Sequence, residues 1–326
     1  MLIDSFERKF TYLRLSVTDI CNFKCSYCLP NGYVKPAGET EEELSLFELK
    51  NLLHGFARAG FKKVRLTGGE PTTRSDLVQI IEMASEMKSF TKIALSTNGW
   101  NLKKNAALYR LAGLTHLNIS VDNLDPKRFH QLTGCDKLPE VLAGIDAALE
   151  NQFSSVKINS VLHRENSEEE FSLFLDWIKH RPVSVRFIEL MKTRDHIGYY
   201  EQNFLSSGVL KQRLLSEGWK IVTREQEDGP AVEFAHPDYR GRMGIIAPYS
   251  QDFCSTCNRL RITSRGKLRL CLFGDEDHSI RGFLQSEELA EQLPAQIQKL
   301  LGLKEISHFL GEGKMGNVKN FSMMGG

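Results

Sequence analysis

Six of the seven cysteines fall into two short groups, and these groups carry the clearest chemical potential in the sequence. The first group is Cys21, Cys25 and Cys28, with gaps of three and two residues. Thiolates on short loops of this kind hold iron–sulfur clusters, and three cysteines leave one iron of a [4Fe–4S] cluster open to a substrate or cofactor. Zinc is the alternative, but zinc sites favour paired cysteines with a fourth ligand, and this loop contains no histidine.

The second group combines a CxxC pair, Cys254 and Cys257, with Cys271 after thirteen intervening residues. Because CxxC is also a zinc signature, zinc with a distant fourth ligand stays open for this group. Arg259 and Arg261 lie between these cysteines, one residue apart, so on an extended segment they share a face. Arginine binds phosphate and planar groups in a bidentate manner, although a solvated face would give the same pattern.

The composition is that of an ordinary globular protein with 326 residues, 41% hydrophobic residues and a formal net charge of +1. The length suits one large domain and one small domain. The absence of a basic excess argues against a nucleic-acid partner. No apolar stretch approaches the ~18 residues of a membrane span, and no secretory signal is recognisable. Clustered cysteines in such a chain favour metal binding over disulfides, so we expect a cytoplasmic protein.

Strand and helix patterns alternate six times in the first part of the chain, which predicts a parallel α/β sheet. No GxGxxG follows the first strand, and this disfavours a dinucleotide-binding Rossmann domain. Unusual residues recur where strands end, as in the cysteine loop and in residues 68–71, 96–99, 120–122 and 189–191. Barrel enzymes build their active sites at that rim. Six units therefore predict a partial, open (β/α)6 barrel of the TIM type.

The alternation breaks down near residue 220, where short β-like runs separated by Gly, Pro and Asp begin. We therefore expect a barrel over residues 1–220. Residues 221–326 are expected to form a smaller α+β domain that covers the barrel mouth. Within it, residues 286–310 have a helical pattern, and the tail that ends in Gly325 and Gly326 is expected to be mobile.

Several motifs together resemble one family. They are CNFKCSYC, LTGGEP, STNG, NISVD, FIELM, DFCSTCNRLR and the terminal Gly-Gly. This set resembles the GTP 3′,8-cyclases, the molybdenum cofactor biosynthesis protein A family of radical S-adenosylmethionine enzymes, over essentially the full length. Many radical S-adenosylmethionine enzymes share the first motif, but few combine it with CxxCNRxR and the third cysteine.

The resemblance implies roles for individual positions. It implies two [4Fe–4S] clusters, one on Cys21, Cys25 and Cys28 and one on Cys254, Cys257 and Cys271. The positions that match contacts to S-adenosylmethionine are Tyr27, Gly69, Ser120 and Met191, and Glu70 matches the acceptor of that cofactor's amino group. The positions that match contacts to GTP are Arg14, Arg65, Ser96, Lys157, Arg259, Leu260 and Arg261. The positions that match catalytic residues are Arg259, Arg261, Gly325 and Gly326.

The resemblance also implies a lyase activity. A 5′-deoxyadenosyl radical from S-adenosylmethionine would take the C3′ hydrogen of GTP and yield 3′,8-cyclo-7,8-dihydro-GTP, the first step of molybdopterin biosynthesis. A reductant protein as electron donor and a downstream cyclic pyranopterin monophosphate synthase are the implied partners, and a homodimer is left open. Independently of the family, Arg14, Arg65 and Lys157 each lie inside a strand pattern. Basic side chains that point into a barrel need an anionic partner, whereas outward ones do not.

Two other interpretations remain open. One is a different radical enzyme of the same superfamily, such as a peptide-modifying maturase, for which we would expect a peptide-docking segment that is not recognisable before residue 10. The other is a non-catalytic iron–sulfur or zinc protein. That interpretation gives no reason for GGEP or for unusual residues at every strand end, and iron and zinc contents would separate it from the others.

Overall fold

The structure is a computed structural model that describes residues 2–35, 38–165, 167–223, 228–318 and 321. Most of its strands belong to one sheet, and most of its helices lie between successive strands. The strands are β1 (Leu2–Ile3), β2 (Lys9–Phe10), β3 (Tyr12–Thr18), β4 (Lys63–Gly68), β5 (Lys92–Thr97), β6 (His116–Ser120), β7 (Ser155–Leu162), β8 (Ser184–Glu189), β9 (Lys220–Ile221), β10 (Val232–Ala235), β11 (Arg242–Ile246), β12 (Arg259–Ile262), β13 (Lys267–Arg269) and β14 (His278–Ser279).

The helices alternate with the strands as far as β8. The helices are α1 (Leu46–Arg58), α2 (Leu77–Glu86), α3 (Leu102–Leu111), α4 (Pro126–Thr133), α5 (Leu138–Glu150), α6 (Ser167–Ile178), α7 (Ile197–Asn203), α8 (Gly208–Ser216), α9 (Glu287–Ala290) and α10 (Leu293–Leu301). A capping box starts α1, with Ser45 and Glu48 each accepting a hydrogen bond from the other's main-chain N–H. None of the described helices is long and apolar enough to cross a membrane.

The main sheet has twelve strands in the order β14-β13-β12-β3-β4-β5-β6-β7-β8-β11-β10-β9. From β3 to β8, each strand lies parallel to the next one along the chain, and this confirms the predicted partial (β/α)6 barrel. The later strands extend both ends of this arc, because β12 pairs in parallel with β3 and β11 pairs in parallel with β8. The sheet is therefore continuous across the predicted boundary near residue 220.

The strands alternate between an apolar face and a polar face, as a period of two requires. In β3, Leu13 and Leu15 are fully buried in the core that packs against the helices. Tyr12 and Arg14 point the other way and line a cavity inside the barrel. The same alternation holds in the neighbouring strands, so the barrel interior is polar and charged while the layer between sheet and helices is apolar.

The helical pattern predicted over residues 286–310 is only partly present. Two helices, α9 and α10, cover residues 287–301, and an irregular segment follows. Gly302 caps α10, and Phe309 takes a left-handed conformation with φ of 51°. Residues 302–309 belong to no helix or strand, and the left-handed Phe309 ends this loop. That loop contributes to the site described below.

Candidate active site

The first three cysteines lie on the loop that follows β3, and this loop is fastened to the rest of the barrel rim. The N–H groups of Lys24 and Ser26 donate to main-chain oxygens at the end of α4, at 3.0 and 2.9 Å. A turn closed by the N–H of Cys28 on the carbonyl of Cys25, at 3.0 Å, shapes the loop itself. Main-chain hydrogen bonds therefore hold in place the loop that carries the three thiols.

Gly68 and Gly69 let the end of β4 pass against the chain that leads into the cysteine loop. The N–H of Gly69 donates to the Thr18 carbonyl at 2.9 Å. A Cβ at Gly69 would stand 2.3 Å from the Ile20 oxygen, and one at Gly68 would stand 2.2 Å from the Thr18 oxygen. The sequence interpretation gave these glycines a close approach to a ligand. In the structure their close approach is to the main chain just before Cys21.

Glu70 ties neighbouring strand ends together. One carboxylate oxygen accepts from the hydroxyls of Thr72 and Thr97, at 2.6 and 2.7 Å, and the other accepts from the Asn98 N–H at 2.6 Å. Burial raises the pKa of this carboxyl group, while these hydrogen bonds act in the opposite direction. Glu70 lines the first cavity, as an acceptor for an ammonium group would, but its oxygens also hold the ends of β4 and β5.

Asp122 at the end of β6 anchors Tyr27 of the cysteine loop. The Tyr27 hydroxyl donates to one Asp122 oxygen at 2.8 Å, and the other oxygen accepts from the Val161 N–H at 2.9 Å. Burial raises the pKa of Asp122 to about 6 and the pKa of Tyr27 well above its usual value. The sequence interpretation quoted NISVD without giving Asp122 a role; its place at a strand end was the available signal.

The first cavity at this rim brings together the predicted ligands of the first cluster and of S-adenosylmethionine. Its walls include Cys21, Cys25, Cys28, Tyr27, Gly69, Ser120 and Met191. Ser96 also lines this first cavity. The arginines that the sequence analysis expects to contact GTP together with Ser96 lie elsewhere, in the second cavity described next. The Ser96 hydroxyl is buried and has no hydrogen-bond partner among the described residues, so it is available to a ligand.

A second cavity adjoins the first inside the barrel. Its walls include Cys254, Cys257, Cys271, Arg14, Arg65, Arg259 and Arg261. Asn159, Ile188 and Met191 line both cavities, so the two cysteine groups face neighbouring parts of one interior. The sequence predicted that each group could hold a metal cluster, and the fold adds that the two spaces meet.

Strand register places the arginines of the second cavity in rows. Arg261 of β12 pairs in register with Arg14 of β3, which pairs with Arg65 of β4. Burial is the main reason that the pKa of Arg14 is lowered to about 10 and that of Arg261 to about 9, and neighbouring arginines lower both further. The Nε atoms of Arg65 and Arg261 have no acceptor in the described part of the chain. Such a set of buried cations needs an anionic ligand.

Tyr12 reports the same positive field. Burial alone would raise its pKa, but Arg65, Lys63, Arg14 and Arg259 lower it to about 7. Tyr12 lies on β3, between β12 and β4, and the Arg65 guanidinium carbon lies over its ring, 5.6 Å from the ring centre. The positive charges of the interior therefore favour the ionised form of a side chain that is ordinarily neutral.

Arg8 holds the second cysteine group in place, although the sequence interpretation missed it. Its guanidinium donates to the carbonyls of Cys254, Ile306 and Glu305 at 3.1, 2.7 and 2.7 Å, and it forms a buried ion pair with Asp4 at 2.6 Å. The loop after α10 is thus bound to the CxxC turn. No local sequence signal connects residue 8 with residue 254.

Nearby cations lower the pKa of the Cys257 thiol. Burial would raise the pKa of its thiol, but Arg259, Lys304 and Arg261 lower it to about 7. By contrast, burial raises the pKa of Cys21 to about 11. Since the thiolate is the metal-binding form, the cations around Cys257 favour ligation there.

Two family models match this chain, the Radical SAM superfamily over residues 15–178 and Molybdenum Cofactor Synthesis C over residues 183–310. A protein of Haemophilus ducreyi named GTP 3′,8-cyclase is 45% identical over all of this chain and 95% of its own length. One of Yersinia pestis with the same name is 47% identical over all of this chain and 99% of its own length. The chain belongs to the GTP 3′,8-cyclase family.

Solved structures agree with the fold of this family member. Streptococcus suis SuiB bound to S-adenosylmethionine aligns with a TM-score of 0.63 at 15% identity, over 89% of this chain and 68% of SuiB. Methylornithine synthase (PylB) aligns with a TM-score of 0.51 at 18% identity, over 64% of this chain and 62% of PylB. At these identities the likeness concerns the fold alone. It matches the open barrel described above.

Radical S-adenosylmethionine enzymes use a [4Fe–4S] cluster and S-adenosylmethionine, and the first cavity fits these groups. Among the described residues, none of the cysteines is in a disulfide, and all seven are partly exposed. Within the described ranges, no three His, Cys, Asp or Glu side chains converge on the place of a single metal ion. In an iron–sulfur cluster the thiolates bind different irons, so three thiols spread around a cavity suit it.

The family resemblance gives roles in the active site to four residues that do not line either cysteine-lined cavity or that lie outside the described residues. The Leu260 side chain alternates away from the arginines beside it and is fully buried in the apolar core, so it does not reach the second cavity. Lys157 lines a third cavity and forms an ion pair with Glu233. Gly325 and Gly326 lie outside the described residues.

Proposed function

We propose that this chain converts GTP to 3′,8-cyclo-7,8-dihydro-GTP, the first step of molybdenum cofactor biosynthesis. The observation that carries this proposal is the meeting of two cysteine-lined cavities inside one barrel, the second of them walled by buried arginines. A space for radical generation beside a space for a polyanion is what this reaction needs. The names of the relatives supply the substrate.

The first cavity would hold one [4Fe–4S] cluster on Cys21, Cys25 and Cys28. When bound and supplied with one electron by a reductant, this cluster and S-adenosylmethionine would provide a 5′-deoxyadenosyl radical for removal of the C3′ hydrogen of GTP. Tyr27, Gly69, Ser120 and Met191 would line the S-adenosylmethionine site. Met191 belongs to both cavities, so it would lie beside both the cofactor and the nucleotide.

The second cavity would hold a further [4Fe–4S] cluster on Cys254, Cys257 and Cys271, and this cluster would bind the guanine base of GTP. Arg14, Arg65, Arg259 and Arg261 would neutralise the triphosphate, since each is buried where an anion is needed. Lys157, in the adjoining third cavity, would meet the end of the same triphosphate, as the family resemblance implies. Ser96 would offer its unsatisfied hydroxyl to the nucleotide or to the cofactor beside it. These contacts would hold C3′ near the radical, and such positioning lowers reaction barriers.

The remaining expectations belong to this proposal. Residues 1–220 would form the catalytic barrel, and residues 221–326 would carry the second cluster, with Gly325 and Gly326 acting at the active site together with Arg259 and Arg261. Leu260 would contact GTP through its main chain, because its side chain lies in the apolar core. A reductant protein would donate electrons in the cytoplasm, a cyclic pyranopterin monophosphate synthase would use the product, and a homodimer is compatible with this scheme.

An anaerobic assay tests the function. The chain is reconstituted with iron and sulfide, reduced, and given S-adenosylmethionine with GTP, with ATP or without nucleotide. We expect 5′-deoxyadenosine and cyclised nucleotide together, and only with GTP. If 5′-deoxyadenosine forms without a GTP product, the substrate is wrong. If neither forms in a preparation with full iron content, the enzyme assignment is wrong.

Cys257→Ser tests the separate role of the second cysteine group. We expect this variant to retain cleavage of S-adenosylmethionine, because the first cavity keeps all of its cysteines, and to lose cyclisation of GTP. Both products are quantified by chromatography. A wild-type yield of cyclised GTP from Cys257→Ser would contradict the role given to the second cluster.

A further inference from the structure

Glu233 places a carboxylate inside the barrel, next to a lysine that the proposed function assigns to the triphosphate. It lies on β10, at the edge that β9–β11 add to the barrel. Its carboxylate is 3.2 Å from Lys157 Nζ and 3.7 Å from an Arg242 nitrogen, and it accepts from the Ser184 hydroxyl at 3.2 Å. The Glu233 side chain is only 15% exposed, so this is an interior ion pair.

The cavity around this pair is predominantly basic. Glu233 and Asp228 are the acidic residues among the charged and titratable groups of its wall. These groups are Lys63, Lys92, His116, Lys157, Arg186, Asp228, Glu233, Arg240 and Arg242. Burial and the nearby Arg186 lower the pKa of Lys157, whereas Glu233 raises it. Glu233 thus compensates part of a large positive charge.

This third cavity continues from the second one. Arg186 and Gly229 line both, so an extended anion that enters among the arginines of the second cavity has a path towards Lys157. Any negatively charged group that reaches Lys157 arrives where a carboxylate is already bound. Two anions would then compete for one ammonium group, because both are negatively charged and need the same hydrogen-bond donors.

We propose that Glu233 competes with the terminal phosphate of the bound nucleotide for Lys157, and so sets how much the third phosphate adds to affinity. This inference rests on the proposed function, in which Lys157 meets the triphosphate. A shorter phosphate chain that stops among the arginines leaves the Glu233–Lys157 pair intact. A triphosphate displaces Glu233 from Lys157, and the pair forms again when the nucleotide leaves.

The competition has a consequence for turnover. The product carries the same triphosphate as the substrate, so every contact that tightens substrate binding also slows product release. An internal carboxylate that reclaims Lys157 limits that tightening. Such a group favours release, and product release limits the rate of many enzymes.

Binding measurements on Glu233→Gln test the proposal. The reconstituted holoprotein is titrated anaerobically with GTP and with GDP by calorimetry, without S-adenosylmethionine, so that no turnover occurs. We expect Glu233→Gln to bind GTP on the order of tenfold more tightly than wild type, as removing a close interior charge pair predicts. GDP affinity should change by less than about twofold, because GDP does not compete with Glu233.

Two further variants control the experiment. Glu288→Gln makes the same chemical change on α9, outside the barrel interior, and should leave both affinities as in wild type. In a Lys157→Gln background, adding Glu233→Gln should no longer tighten GTP binding, since the two residues act through one contact. This pair of variants also removes both charges together, so it keeps the test valid if Glu233→Gln alone folds poorly.

The outcomes separate this inference from the function on which it rests. An unchanged GTP affinity in folded Glu233→Gln would overturn the competition, and so would an equal gain for GTP and GDP, which would indicate a general field effect. A persistent gain in the Lys157→Gln background would overturn the role of Lys157. If the wild-type holoprotein binds neither nucleotide, the proposed function fails instead.

Discussion

Gly69→Ala should detach the first cluster from the protein while leaving the barrel folded. The added Cβ would stand 2.3 Å from the Ile20 oxygen and 2.6 Å from the Asp19 oxygen, both of them main-chain atoms. Normal contact requires the two chains to separate by roughly 1 Å, and overpacking of this kind costs about 1–3 kcal/mol. The chain that moves is the one leading into Cys21.

That displacement is the reason to expect a specific effect. The N–H of Glu70 donates to the Ile20 carbonyl at 2.7 Å, and this bond would stretch with the bond from Gly69. A shift of about 1 Å at a reacting centre can cost about a hundredfold in rate. We therefore expect Gly69→Ala to bind less iron at the first site and to yield about a hundredth of the wild-type 5′-deoxyadenosine.

The assay compares iron content, the 5′-deoxyadenosine yield and the melting temperature of wild type, Gly69→Ala and Gly198→Ala. The last variant is the matched control, because a Cβ at Gly198 meets nothing within 4 Å. Gly198→Ala should match wild type in iron content and in 5′-deoxyadenosine yield. Its melting temperature should be no lower than that of wild type, because alanine favours the helix in which residue 198 lies. Wild-type iron content together with a wild-type yield in Gly69→Ala would refute the reasoning, since it would show that the cysteine loop tolerates the separation.

Two further predictions concern Arg8 and Glu170. Arg8→Met removes the donors that join the Cys254 turn to the loop after α10, so we expect it to lose iron from the second cysteine group alone. Iron analysis checks this: the double variant Arg8→Met, Cys257→Ser should contain no less iron than Cys257→Ser. Burial raises the pKa of Glu170 to about 7. The protonated form is thus favoured in the folded chain, so stability from this group is full below its ordinary pKa and is lost as the pH rises through about 7. Between pH 4.5 and 8, the free energy of unfolding of wild type should fall relative to that of Glu170→Gln by up to about 3 kcal/mol. Urea unfolding of both proteins at several pH values checks this, and a difference that stays constant with pH would contradict it.

The sequence was sufficient to predict the barrel because its strands and helices carry strong local patterns. The sequence pattern predicts six strands, and each lies within two residues of β3 to β8 at both ends. The predicted ranges are 10–17, 62–67, 92–97, 115–121, 156–162 and 183–190. Helices α4, α7 and α8 were not predicted, and the last of them carries little amphipathic pattern, with Leu210 and Leu214 as its buried residues. Short helices of this kind form because the barrel gives them something to pack against.

The sequence could not predict which way individual side chains point or which residues they contact. Arg14 and Arg65 point inward and Leu260 points outward because a strand fixes alternation, but which face is inner depends on the closed sheet. The pairing of Arg261 with Arg14 depends on the register between β12 and β3, and no local rule sets it. Likewise, the Glu233 partner of Lys157 comes from a strand on a different part of the chain.

The cysteine motifs were informative for a different reason. The ligand spacing of a cluster site is a local property, so Cys21, Cys25 and Cys28 are brought together by a single loop. What surrounds them is not local. Asp122 holds Tyr27 from the end of β6, and Arg8 holds the Cys254 turn from the opposite end of the chain, so both needed the fold to be seen.

The parallel pairing of β3 with β12 bears on how the protein is made. β3 is synthesised well before its partner β12, because β4 to β11 lie between them in the chain. Until β12 is made, one edge of the growing barrel has unpaired N–H and C=O groups, which can template pairing with other chains. Pairings between distant segments also form slowly. A nascent or truncated chain that stops before residue 259 therefore carries an open edge. We expect such chains to depend on chaperones and to aggregate where the complete chain does not.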